Sequence, residues 1–233
     1  MTAPATITMT VVRNLKKTGF SLLILCILCA LVFVRSAMTD NILRIDAEIL
    51  KKAEERCGKD APERLISWEN LVREEQDKSD MEKLNKVNSF FNRLSYAEDI
   101  NLWGVKDYWA TPLEFLCKGA GDCEDYAIAK YFTLKALGVS EEKLKITYVK
   151  SIQLDRSHMV LAYYSKPGDE PLILDNLIGS IKPSSQRDDL LPIFSFNGSG
   201  LWMAQQRGRE KKTSDMRLKK WDDLLKKMSG NSL

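Results

Sequence analysis

The chain has 233 residues, enough for one domain with a core of ordinary size or for two small ones. Hydrophobic residues make up 44% and charged residues 29%, which excludes a disordered chain and a multi-span membrane protein. The formal net charge is +3, but Arg13, Lys16, Lys17 and Arg35 fall within residues 1–36, which hold no acid. The remainder is close to neutral, so its overall charge gives no drive towards nucleic acid.

In chain order, the first feature is Arg13-Asn14-Leu15-Lys16-Lys17 followed by an apolar run over 18–34. A basic stretch leading into an apolar one is the export pattern. The run is long for a cleaved signal and short for a bilayer span, and Val34-Arg35-Ser36 offers a small residue for cleavage. Both a cleaved signal and a retained anchor follow from it, with the body exported in either case. The expected organisation is a leader or anchor over 1–36, one main domain over 37–204 and a basic tail over 205–233.

Apolar residues recur at helical spacing over 41–57, 65–75 and 81–94. Thr111-Pro112-Leu113-Glu114 is a compact helix start, with Thr as N-cap, Pro in the first position and Glu in the third. Gly119-Ala120-Gly121 breaks that helix, and Asp122 caps the next, from Cys123 to Leu137, closed by Gly138. The period then changes to two. Strands are expected over 144–149, 159–164 and 172–174, with further edges over 178–181 and 193–196. Helices first and strands afterwards indicate an α+β domain. In the tail, Leu218, Trp221, Leu225 and Met228 form one helical stripe, which either meets a membrane or partner or packs on its own domain.

The chemistry gathers at Gly121-Asp122-Cys123-Glu124-Asp125-Tyr126. A thiol at a helix N-terminus feels partial positive charge and unpaired N–H groups, which favour thiolate. Cys123 is therefore either a nucleophile or a packed core cysteine. Of the other cysteines in the body, Cys57 and Cys117, neither stands in recognisable catalytic surroundings. Three cysteines leave at least one thiol without an intramolecular partner. A single histidine and no CxxC in the body argue against a zinc site.

That histidine, His158, heads a strand, and Asp175 ends the next. The turn between those strands is centred between residues 167 and 168, so paired positions sum to about 335. His158 and Asp175 are offset diagonally by two residues, which leaves them on one sheet face and within reach. A nucleophilic Cys, an imidazole base and a carboxylate that orients it make an acyl-transfer arrangement. Asp122, Glu124 and Asp125 place three acids around a thiol that must ionise, and like charges oppose this. A hard divalent cation would neutralise them; plain helix capping is the other reading.

The stretch Asp107-Tyr108-Trp109-Ala110-Thr111-Pro112-Leu113-Glu114-Phe115-Leu116, then Gly121-Asp122-Cys123-Glu124-Asp125-Tyr126-Ala127-Ile128-Ala129-Lys130-Tyr131, closely resembles the bacterial transglutaminase-like cysteine proteinases of the LapG type. Ser157-His158-Met159-Val160-Leu161 and Leu174-Asp175-Asn176 continue the likeness, which spans roughly 40–205 and leaves the basic tail outside. The resemblance implies a papain-like core: N-terminal helices, a central Cys-bearing helix and a mainly antiparallel sheet. It implies a calcium-dependent periplasmic endopeptidase that cuts a large surface adhesin near its N-terminus and so releases biofilm cells. An inner-membrane cyclic-di-GMP receptor would sequester it. By the same resemblance Cys123 is the nucleophile, His158 the general base and acid, Asp175 its orienter, and Asp122 and Glu124 calcium ligands. The Cys123 N–H and a second donor, with Trp103 and Trp109 as candidates, would form the oxyanion hole. A transglutaminase that passes the same acyl-enzyme to an amine is one alternative; a non-catalytic binding module is another.

Overall fold

The computed structural model describes residues 43–204, 210–214 and 218–229, so the expected export segment lies outside the described residues. Helix α1 spans Ala47–Cys57. It begins later than the apolar spacing predicts because the Asp46 carboxylate caps it, accepting from the Ile49 N–H at 2.8 Å. Helix α2 spans Ala61–Glu74 and α3 spans Asp80–Phe91; a Ser79–Glu82 capping box starts the latter. Strand β1 (Ser95–Tyr96), helix α4 (Asp99–Leu102), helix α5 (Pro112–Lys118) and strand β2 (Ala120–Gly121) follow, and helix α6 (Cys123–Ala136) closes the helical half.

Helix α6 is the centre of that half. Ala127, Ile128, Ala129, Tyr131 and Leu134 on it are all buried, as its nearly unbroken apolar sequence predicts. Leu65, Trp68 and Val72 of α2 and Leu84, Val87 and Phe91 of α3 supply further core. One polar link crosses it: Trp68 Nε1 donates to Thr133 Oγ1 at 2.8 Å. A disulfide joins Cys57, at the end of α1, to Cys117 in α5, which leaves Cys123 as the free cysteine among the described residues. Arg64 of α2 donates to the carbonyls of Leu116 and Cys117, both at 2.6 Å, and so caps the C-terminus of α5.

The strands form one antiparallel sheet: β3 (Leu144–Ser151), β4 (Arg156–Tyr163), β5 (Leu172–Leu174), β6 (Lys182–Pro183), β7 (Leu190–Asn197), β8 (Gly200–Ala204) and β9 (Glu210–Ser214). Their spatial order is β6-β5-β4-β3-β7-β8-β9. Phe196, Ile146, Leu161 and Leu174 lie in register across four of these strands and are buried, while α6 packs against β3 and β4. In the β4–β5 hairpin Leu161 pairs with Leu174, Ala162 with Ile173 and Tyr163 with Leu172, the register that its turn centre predicts.

Two strand expectations are corrected. Residues 178–181 are not a strand; pairing comes one residue later, at Lys182–Pro183. The Gly179 carbonyl instead accepts from Asn88 Nδ2 at 2.9 Å, which ties this loop to α3. Residues 193–196 are not an edge but the middle of β7, because β8 and β9 extend the sheet beyond it. Pro192 and a register shift at Tyr148/Val149 break the alternation that would mark a longer strand.

Helix α7 spans Lys219–Ser229. Its Trp221 is buried, stacked on Phe132 and edge-on to Tyr131 and Phe196, and Leu224 is buried too. The tail stripe thus packs on its own domain. No helix among the described residues is long and apolar enough to cross a membrane.

Candidate active site

The turn before α6 is set by β2, which pairs in parallel with β1. Gly121 has no room for a side chain: a Cβ there would meet Asp125 Oδ2 at 2.5 Å and the Phe115 ring at 2.8 Å. Asp125 is buried, and its carboxylate accepts from the N–H groups of Ala110 (2.9 Å) and Asp122 (3.3 Å). Asp125 therefore serves the backbone, holding the start of α6 against the Trp109–Thr111 segment. Cys123 opens α6 beside a cavity of about 410 Å³ that is also lined by Asp122, Glu124, Asp99, His158 and Leu177.

His158 enters that cavity from β4. Its Nε2 is 2.8 Å from Asp175 Oδ1, so the diagonal placement inferred from the hairpin is realised. Cys123 and His158 thus line the same cavity from the start of α6 and from β4. Asp175 is fully enclosed and also accepts from the Leu177 N–H (3.0 Å) and from Arg187 Nη2 (2.7 Å). Burial opposes its charge, but the His158 and Arg187 bonds outweigh burial and pull its pKa down to about 2. A carboxylate can only accept, so Nε2 carries the proton and Nδ1 is the ring nitrogen left for exchange with the thiol.

The first turn of α6 is unusually acidic around that thiol. Cys123 Sγ donates to Glu124 Oε2 at 3.0 Å. Burial, then the Glu124 charge, hold the thiol pKa well above its ordinary value. Burial and the charges of Glu124 and Asp125 push Asp122 up to about 10, and burial raises Asp99 and Asp125 also. Carboxylate oxygens of Asp99, Asp122 and Asp125 lie within 4.8 Å of one another, as do those of Asp99, Asp107 and Glu124. Asp99 Oδ1 and Asp122 Oδ1 are buried without a hydrogen-bond partner. Such crowding of hard oxygen donors, with two lone oxygens among them, fits a calcium-sized cation.

The structure thus brings Cys123, His158, Asp175, Asp122 and Glu124 into one site. It adds Asp99, Asp107 and Arg187, which sequence reasoning missed. Asp99 comes from α4 and Asp107 from the loop after it, and Arg187 lies in the β6–β7 connection; no local pattern marks any of them. Neither indole considered for the oxyanion hole lines the cavity: Trp109 stacks on Phe196 and Trp103 on Tyr108.

The profile of the bacterial transglutaminase-like cysteine proteinases matches residues 52–207. Among solved structures, EGTA-treated Legionella pneumophila LapG is 44% identical, with a TM-score of 0.68 over 80% of this chain and 99% of that one. The calcium-bound form of Legionella pneumophila LapG is 45% identical, with the same TM-score over 79% of this chain and 99% of that one. Among curated protein sequences none matches the chain.

Proposed function

The chain belongs to the bacterial transglutaminase-like cysteine proteinases, and on that premise we propose that it is a calcium-dependent endopeptidase of the periplasm. Its substrate in this reading is a large surface adhesin, cut near its N-terminus to release biofilm cells, and an inner-membrane cyclic-di-GMP receptor sequesters it. The observation that carries the proteolytic part is the enclosed His158–Asp175 pair facing a lone thiol at the N-terminus of a buried helix.

In this reading His158 Nδ1 takes the Cys123 proton, and the thiolate attacks the scissile carbonyl carbon. The resulting oxyanion is stabilised by the Cys123 N–H at the start of α6. His158 then protonates the leaving amine as the C–N bond breaks, which leaves a thioester on Cys123. Water, losing a proton to His158, attacks the thioester carbon and releases the acid and the thiol. Asp175 stays ionised throughout and holds the imidazole.

Asp122 and Glu124 would hold calcium, with Asp99, Asp107 and Asp125 as the further acids grouped with them. Bound there, it would supply positive charge that offsets the acids opposing the thiolate. Glu124 is also the acid that accepts the Cys123 S–H bond. The Cys57–Cys117 disulfide supports an oxidising compartment and hence export.

The test is intact-mass analysis of adhesin N-terminal fragments incubated with the protein, with and without calcium. Cleavage that needs calcium and vanishes in Cys123→Ala is expected. Mass gain by an added amine in place of cleavage would assign the acyl-enzyme to transglutamination, and residual cleavage within tenfold in Cys123→Ala would remove Cys123 from its role.

A further inference from the structure

Asp175 has two sides. His158 takes Oδ1, and a guanidinium takes Oδ2. Arg187 is 3% exposed, an unusual depth for a residue of a connecting loop. Its Nε and Nη2 donate to the two oxygens of Asp189 at 2.9 and 2.8 Å, a bidentate grip that fixes the plane of the guanidinium. The same Nη2 reaches Asp175 at 2.7 Å. The Asp189 carbonyl accepts from the Ile152 N–H at 2.8 Å, which ties the loop to the β3–β4 turn behind His158. The chain His158–Asp175–Arg187–Asp189 is therefore continuous and almost wholly dry.

Its charges matter as much as its bonds. Asp175 and Asp189 carry two negative charges and Arg187 one positive, so the imidazolium that forms in catalysis brings the set to neutrality. Other charged groups around the imidazole are Glu98, Asp99 and Lys106 across the cavity, Asp122, Cys123 and Glu124 in the first turn of α6, and Arg156 two residues upstream on β4, while Lys130 of α6 acts on Asp175. Without the guanidinium, the buried Asp175 carboxylate would keep only His158 and the Leu177 N–H, and Asp189 would lose its partner. Asp175 would lose its fixed orientation, and the imidazole with it.

We propose that Arg187 is a positioning residue of this active site, fixing the Asp175 carboxylate against His158 and balancing its charge from behind. The proposal rests on the proteolytic reading above only for its effect on turnover. An Arg at this place is not replaceable by Lys, because one ammonium cannot keep both the bidentate Asp189 contact and the Asp175 contact.

The chain has a single histidine, so the ¹⁵N signals of a tag-free, full-length, calcium-loaded protein report His158 without ambiguity. In Arg187→Met, kcat should fall tenfold or more with KM within twofold. The ring proton on His158 Nε2, which the 2.8 Å bond to Asp175 holds downfield, should move upfield or be lost to exchange. Arg187→Lys, which keeps the charge but cannot hold both carboxylates, should move that signal part of the way while kcat falls threefold or more. A folded Arg187→Met protein with the wild-type ring-proton signal overturns the proposal, whatever its turnover, since a purely structural role would leave the imidazole unmoved. Should Arg187→Met not fold, wild-type kcat in Arg187→Lys overturns it instead. Failure of the proteolytic reading shows separately, as a wild type that cleaves no adhesin or a Cys123→Ala that still does, because the imidazole signal needs no substrate.

Discussion

Lys130 sits on α6 with no exposure, and its Nζ has no hydrogen-bond partner. Burial pulls its pKa down to about 7, against only partial support from the Asp175 charge. In the unfolded chain the same group titrates near 10.5. Between those values the unfolded state binds more protons, so this group makes stability rise with pH across that window; below about 7 its full penalty is present. Lys130→Met should therefore stabilise the protein at pH 6 by about 1–4 kcal/mol, and the gain should shrink towards pH 10. Urea unfolding at the two pH values checks it, and a loss at pH 6 would show that the ammonium has a partner. Glu124→Gln makes a second residue-scale prediction. It keeps size while removing the charge that opposes the Cys123 thiolate, so in calcium-free buffer iodoacetamide should label Cys123 several-fold faster near neutral pH. Activity should at the same time need more calcium, because a strong ligand is gone. Unchanged labelling and unchanged calcium dependence would return Glu124 to the role of a helix-terminal acid. Residues of this kind differ in how far the sequence reveals them. His158 and Asp175 were legible because a short hairpin converts sequence distance into register. Arg187 and Asp99 were not, since each reaches the site through a loop whose path no periodicity encodes.

At the scale of elements, the α helices and the hairpin were legible where local signals agree: the Thr111–Glu114 capping box appears as read, and α6 is apolar nearly all round because it is nearly all buried. The far half of the sheet was not. Strand β7 looks like a short edge in sequence because Pro192 interrupts it, yet β3 pairs with it from Leu190 to Phe196 and β8 from Phe194 to Asn197. The disulfide was equally hidden, since three cysteines do not announce which two meet. Its consequences are measurable. Joining residues 60 apart in sequence, it restricts the unfolded chain enough to contribute about 4 kcal/mol. The double variant Cys57→Ser, Cys117→Ser should lose roughly that in urea unfolding while still cleaving substrate at low temperature, because neither sulfur belongs to the acidic cluster. A loss of activity that precedes unfolding would show instead that the disulfide fixes the turn before Cys123. Helix α7 is the other element with a clear prediction. Trp221 stacks on Phe132 and meets Tyr131 and Phe196, so Trp221→Ala should cost about 3–5 kcal/mol. A change within about 0.5 kcal/mol would mean that the helix is detached in solution.

The whole molecule comes together around the acids. Helix α4 brings Asp99, the following loop brings Asp107, and α6 brings Asp122, Glu124 and Asp125. Helix α7 secures the same loop, for Lys220 pairs with Asp107 and Lys227 reaches the Trp109 carbonyl and Glu114. Residues 99–107 and 122–125 thus supply one cluster of negative charge that α7 braces from far along the chain, so what binds there should be felt as global stability. The sign follows from the folded-state shifts. Burial and mutual repulsion raise Asp99, Asp122 and Asp125, with Asp122 at about 10, above their unfolded value of 3.8. Groups raised in this way favour the folded state while they keep their protons. Their contribution is complete below about pH 4 and is lost as pH rises towards 10. The chelated protein should therefore melt at progressively lower temperature from pH 5 to pH 9. Calcium binds the deprotonated acids of the folded state alone, so its stabilisation should run the other way, small at pH 5 and large at pH 8. Magnesium at the same concentration should restore little, because it resists dehydration and demands a tighter octahedron than a cluster of carboxylates on three segments provides. Thermal melts of the chelated, calcium-loaded and magnesium-loaded protein over that pH range measure all three expectations. A chelated protein whose melting temperature ignores pH, or a calcium shift no larger at pH 8 than at pH 5, would show that these acids are not where the ion binds.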